Sequence, residues 1–260
     1  MIFDLDFAVR NFKVALTGIP TTLIITAVAA GIGLPLAFFI ALARIKKVPV
    51  LDKLLTLFIS FMRGTPTIVQ IYLIYNGIPI LLKYISGKFN LSINVSDINP
   101  IIYAFIVYSL NTSASYSEMW RAGLNAIDKG QLEAAQTAGL TLFSAYRHVI
   151  IPQAVAVAIP SFCTATLNML KNTSLAFIMT VQDITARAKI AAGLEYKYLE
   201  CYFDVFIVYL IVCTILEILF KQAEKKLTQH RQPSKAEKGE RKSKNSKDRI
   251  PGLKESVQSD

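Results

Sequence analysis

The chain is short of what soluble enzymes and redox proteins rely on. Only 18% of its residues are charged, against about a quarter in soluble domains, which disfavours a fully solvated globule. It has two histidines, His148 and His230, too few to build an imidazole metal site, and no cysteine–histidine spacing of the zinc type occurs. Its cysteines are Cys163, Cys201 and Cys213. They are odd in number and lie in apolar segments, so they imply no disulfide framework. A G-x-x-x-x-G-K-[ST] phosphate loop is missing, so any nucleotide energy must be bound by another chain. So is the cluster of His, Asp and Glu near one leaflet that a membrane-embedded enzyme would need. The opening MIFDLDFAVRNFKVAL has acidic residues where a secretory signal is basic, and the apolar run after it reads as an uncleaved span.

What the chain does have is apolar length: 53% of its 260 residues are hydrophobic. A helix needs roughly 20 apolar residues to cross the hydrocarbon core. Five segments qualify: Ile19 to Ala43, Thr65 to Leu82, Ile101 to Trp120 (polar in its second half), Ile151 to Leu170, and Phe203 to Phe220. The fifth is the weakest, since Asp204 and Glu217 trim its uncharged centre. The expected fold class is all-α, a polytopic membrane protein of about five transmembrane helices. Arg44, Lys46, Lys47 and Lys53 follow the first span, Arg121, Lys129 and Arg147 flank the third-to-fourth connection, and Lys221, Lys225 and Lys226 follow the fifth. By the positive-inside rule the N-terminus lies outside and the C-terminus inside. The connections Lys83 to Pro100 and Asp183 to Lys197 read as outside loops. Residues 1–17 form an extracytoplasmic N-terminal segment, 18–222 the membrane domain, and 223–260 a basic cytoplasmic tail without apolar period, expected to be disordered. The net charge of +10 sits in connections and tail, which suits an anionic inner leaflet and calls for no nucleic acid.

Between the third and fourth spans the chain turns polar, in QLEAAQTAGLTLFSAYRHVIIPQA. Asp128 can cap a helix, with Gln131 as reciprocal partner. Leu132, Ala135 and Ala138 form a small-residue stripe, Gly139 suits a left-handed terminator, and Thr141 can cap a second helix, LFSAYRHVII, stopping at Pro152. Two readings stay open: a loop packed on its own protein, or a docking ridge for a cytoplasmic partner.

EAAQTAGLTLFSAYRHVIIP resembles the EAA signature of permease subunits of binding-protein-dependent ABC importers. Glu133, Ala134, Ala135 and Gly139 match its pattern, and Val149, Ile151 and Pro152 fill the closing positions, with mild departures at Val149 and Ile151. FMRGTPTIVQIYLIYNGIP, SASYSEMWRAGLNAIDKGQLEAA and NMLKNTSLAFIM are similar to the polar amino acid branch (histidine, glutamine and cystine types), and SYSEMWRAGLNAI resembles its cystine or glutamine side. Asn172 stands where many relatives carry Asp. The resemblance covers about Gly18 to Phe220.

That resemblance implies a type I importer (MetI-like) fold in a bacterial cytoplasmic membrane. Coupling helices at 128–151 would dock on a separate dimeric ATPase through Glu133, Ala134, Ala135, Gly139 and Pro152. The other implied partners are an extracytoplasmic amino-acid-binding protein and a second permease subunit, identical or paralogous. The subunit itself would hydrolyse nothing and need no cofactor or metal, and transport would proceed by alternating access. An ion-coupled secondary amino acid transporter is the alternative, though no internal repeat supports it.

Polar groups at membrane depth normally face a cavity or the bundle interior. Candidates for the translocation path are Gln70, Asn111, Ser115, Glu118, Asn168, Lys171 and Asn172, with Asn76, Ser113 and Ser174 beside them. For Ser and Asn, inter-helix hydrogen bonding is an equal reading. Lys171 must snorkel, pair (Glu118 being a possible partner) or face water.

Overall fold

The structure is a computed structural model that describes residues 3–89, 94 and 97–228. All secondary structure among these residues is helical: α1 (Leu5–Leu16), α2 (Ile19–Ile45), α3 (Leu51–Gly64), α4 (Thr67–Phe89), α5 (Pro100–Asn125), α6 (Lys129–Thr137), α7 (Leu142–Ala145), α8 (Ile151–Asn172), α9 (Ile184–Glu195) and α10 (Tyr198–Thr228). Four helical stretches, 5–45, 67–89, 142–179 and 198–226, are long and apolar enough to cross a bilayer. The last is as apolar as the first, so Asp204 and Glu217 do not weaken it.

Helix α5 is not among those four because its second half is polar, and its packing explains why it can be. It lies at the centre of the bundle against α2, α3, α4 and α8, with Ser109, Thr112, Ser113 and Ser117 all buried. A helix shielded by neighbours needs no apolar surface of its own. Helix α2 meets it through Ala29, Gly33, Ala37 and Ala41, a stripe of small residues that lets two backbones approach. Tyr116, Trp120 and Phe162 stack edge to face and join α5 to α8. Helix α1 packs on α9 and α10: Asp4 pairs with Lys197, and Asn11 Nδ2 donates to the buried Asp204 Oδ2 at 2.9 Å.

Several sequence expectations change. Helix α4 runs to Phe89, so residues 83–89 of the expected loop 83–100 are helical, while residues 90–93 and 95–96 lie outside the described set. The expected loop 183–197 is mostly helix α9, started by Asp183, whose Oδ1 accepts the Ala186 N–H at 2.8 Å. Helix α10 continues through Thr228, because its Lys- and Glu-bearing last turns can project into water without breaking the backbone pattern. The remainder of the expected disordered tail, 229–260 with His230, lies outside the described residues. Helix α3 was not foreseen. Its 14 residues rise only about 21 Å, too short to cross the hydrocarbon core.

Candidate functional site

The polar piece between α5 and α8 folds as helix, turn, helix. Asp128 Oδ1 accepts the Gly130 N–H at 2.6 Å, and Thr141 Oγ1 accepts the Ser144 N–H at 3.3 Å. Gly139 sits between them at φ +86°, in the region that only glycine enters without strain. The reciprocal cap by Gln131 does not form. Its side chain instead takes a 3.4 Å hydrogen bond from Gln153 Nε2 on α8, so that α6 is tied back to the bundle.

The Leu132, Ala135 and Ala138 stripe is divided between the two open readings, part packed on the bundle and part exposed. Ala135 is buried, and Leu132 packs with Leu124, Ile150 and Ala154. Facing solvent are Glu133, Ala134, Ala138 and Gly139, followed by the apolar Leu142 (53% exposed) and Phe143 (74% exposed). Burying one flank while the other stays bare is what a seated docking helix requires, and Leu142 and Phe143 add an apolar tip the sequence reading did not single out.

The second helix does not stop at Pro152. Helix α7 passes through a π-helical turn, Tyr146–Ile150, directly into α8, with the Ile151 N–H bonded to Tyr146 O. Pro152 stands exposed in the first turn of α8. A proline there cannot donate and would crowd the carbonyl four residues back, and the wider i→i+5 turn relieves that crowding.

A cavity of about 470 Å³ opens between α5 and α8, within the size range of small-molecule sites (roughly 300–1,000 Å³). Five predicted path residues line it: Asn111, Ser115, Glu118, Asn168 and Asn172. Arg63, from the end of α3, lines it too. Glu118 is held by two guanidinium groups, Arg44 on Oε1 and Arg121 on Oε2 at 2.7 and 3.0 Å.

Gln70 and Lys171 do not line the cavity. Gln70 is buried behind it, where α3 gives way to α4. Its Nε2 donates to Met62 O at 2.8 Å and Thr65 O at 3.1 Å, and its Oε1 accepts from Asn111 Nδ2 at 3.1 Å. Lys171 does not pair with Glu118. It is exposed on the side of α8 turned to α10, where its charge acts on Glu217; a step of one residue from Asn172 turns it about 100° away. Asn76 is exposed and bonds back to Tyr72 O, and Ser113 bonds back to Leu110 O.

The family model described as "Binding-protein-dependent transport system inner membrane component" matches residues 33–229. The chain belongs to this family. The permease is 36% identical over 226 residues to the L-cystine transport system permease protein TcyL of Bacillus subtilis, covering 86% of this chain and 92% of that one. Over 218 residues it is 31% identical to the histidine/lysine/arginine/ornithine transport system permease protein HisM of Escherichia coli, covering 84% and 90%. Its fold matches the crystal structure of an amino acid ABC transporter with histidines at TM-score 0.72 and 30% identity, over 87% of this chain and all of that one. The methionine transporter MetNI in an inward-facing form matches at TM-score 0.61 and 15% identity, over 86% and 97% of the chains, a likeness of fold alone. The permease is therefore a non-catalytic, multi-pass membrane subunit, and ATP is hydrolysed by a separate ATPase subunit. Of the site residues, Arg63 was not among the sequence-predicted candidates, although Gly64 and Pro66 beside it signal a helix break.

Proposed function

We propose that the permease forms the membrane path of an importer for a polar L-amino acid, cystine or glutamine being the nearest kinds. It would sit in a bacterial cytoplasmic membrane with five spans, α5 included, its N-terminus outside and its C-terminus inside. The Lys and Arg residues flanking the spans support that orientation. Residues 18–222 make up the membrane domain, with the N-terminal segment before it and the basic tail after. Residues 128–151 dock on the ATPase dimer through Glu133, Ala134, Gly139 and the Leu142–Phe143 tip, with Ala135 and Pro152 shaping the docking piece. A binding protein delivers the solute from outside, and a second permease subunit completes the path. Closure of the ATPase dimer on ATP drives the pair between inward- and outward-facing states, a two-state change biased by differential binding.

The observation that carries this reading is the cavity between α5 and α8, lined by amides, hydroxyls and two charged side chains in a permease of this family. Reconstitution in proteoliposomes with its ATPase and binding protein tests it. ATP-dependent uptake of at least one polar amino acid is expected. Uptake by the permease alone, driven by a proton or sodium gradient, would instead establish ion-coupled transport.

A further inference from the structure

The α3–α4 break lies deep in the bundle. Met62 packs with Ala114 and Leu110 of α5, and Gln70 joins the break to Asn111. These partners are near the middle of a 26-residue helix. Arg63, one residue before the helix ends, is therefore held at mid-depth and lines the cavity. An ionisable group at such depth marks a functional position by default, and a discontinuous helix at the midplane is a usual setting for solute contact.

The charges around this cavity are unequal. Among the described residues its only charged lining side chains are Arg63 and Glu118. Both carboxylate oxygens of Glu118 are occupied, by Arg44 and Arg121, so its negative charge is spent within the protein. Arg63 has no carboxylate partner among the described residues. Asp52 offsets part of Arg44 from 3.8 Å. The polar remainder, including Asn111, Ser115, Asn168 and Asn172, is neutral. Three guanidinium groups thus stand against one engaged cavity carboxylate and one distant one.

We infer that this cavity selects zwitterionic or acidic amino acids over cationic ones, with Arg63 taking the solute's carboxylate. An unpaired guanidinium offers two parallel N–H donors that fit a carboxylate. A lysine or arginine solute would bring a second positive charge into a field already positive, with no free carboxylate among the described lining residues to receive it. The assignment rests on the cavity being the transport path.

The test uses the purified permease–ATPase complex without its binding protein, so that receptor specificity cannot contribute. Equilibrium binding of radiolabelled glutamine, cystine, glutamate, arginine and lysine is measured. Glutamine, cystine and glutamate are expected to bind at least about tenfold tighter than arginine and lysine. Arg63→Gln should weaken glutamine binding about tenfold, the scale of a lost charge-assisted hydrogen bond. Asn172→Asp, which adds a carboxylate to the cavity, should strengthen arginine and lysine binding, and it keeps the test open if the first variant assembles poorly. Arginine or lysine binding as tightly as glutamine, no binding of any of the five, or an Arg63→Gln variant indistinguishable from wild type would each overturn the inference. Failure of ATP-driven uptake by the complete complex, binding protein included, would overturn the underlying transport reading instead. Uptake without the binding preference would overturn only the charge selection.

Discussion

Asp183 is completely buried where the start of α9 meets the start of α2. Burial pushes its carboxyl up to about 6, although the Ala186 N–H and the Tyr209 hydroxyl, at 3.2 Å, favour the charged form. The ordinary value is 3.8, so between about pH 4 and 6 the native state holds a proton the unfolded chain has lost. Stability then falls as pH rises through that window and levels off above about 6, by on the order of 3 kcal/mol. Asp183→Asn keeps the cap and removes the titration. Thermal unfolding in detergent from pH 4 to 7 should lose this slope in the variant; an unchanged slope would assign it elsewhere. Gly18 packs against the same place, where an added Cβ would lie 2.4 Å from Ile184 N. Glu133 is exposed, and its carboxylate makes no hydrogen bond or ion pair among the described residues. Glu133→Lys should leave yield and oligomeric state unchanged while removing ATP-driven uptake, and Phe143→Ala should weaken ATPase association in pull-down by roughly tenfold, an interface-anchor effect. Wild-type uptake by the first or wild-type retention by the second would remove that residue from the docking surface.

Two helix discontinuities govern the elements. At the α3–α4 break, Gln70 satisfies carbonyls that a helix end leaves open and reaches Asn111 across the bundle. Gln70→Leu keeps the volume and strips these bonds, at about 1–3 kcal/mol for each buried group left unpaired. The melting temperature should drop by several degrees, and glutamine binding should weaken as Arg63 loses its fixed position; an unshifted melting curve would show that the break is held by packing alone. At the α7–α8 junction the π turn before Pro152 joins α7 to the cavity-lining α8 without a loop. α7, the π turn and α8 form one continuous helical run, and α6 is set off from it by the turn at Gly139.

Across the whole molecule, α1 is bound by polar contacts to α9 and α10, while the family match ends at residue 229. Deleting residues 229–260 should leave a monodisperse complex with normal uptake; loss of the complex would give that segment a structural role. Apolar run length and loop charge suffice to read an all-helical membrane protein, because hydrocarbon thickness sets span length whatever the packing. The capping residues Asp128 and Thr141, and the turn at Gly139, were also legible, since caps and positive-φ turns act within a few residues. Tertiary packing alone decided which face of α6 is bare, that Glu118 is spoken for by Arg44 and Arg121, that Lys171 turns from the cavity and that Arg63 turns into it. Each of those depends on residues tens of positions apart meeting in the bundle, and a periodic pattern along one chain holds no record of which neighbour fills which side.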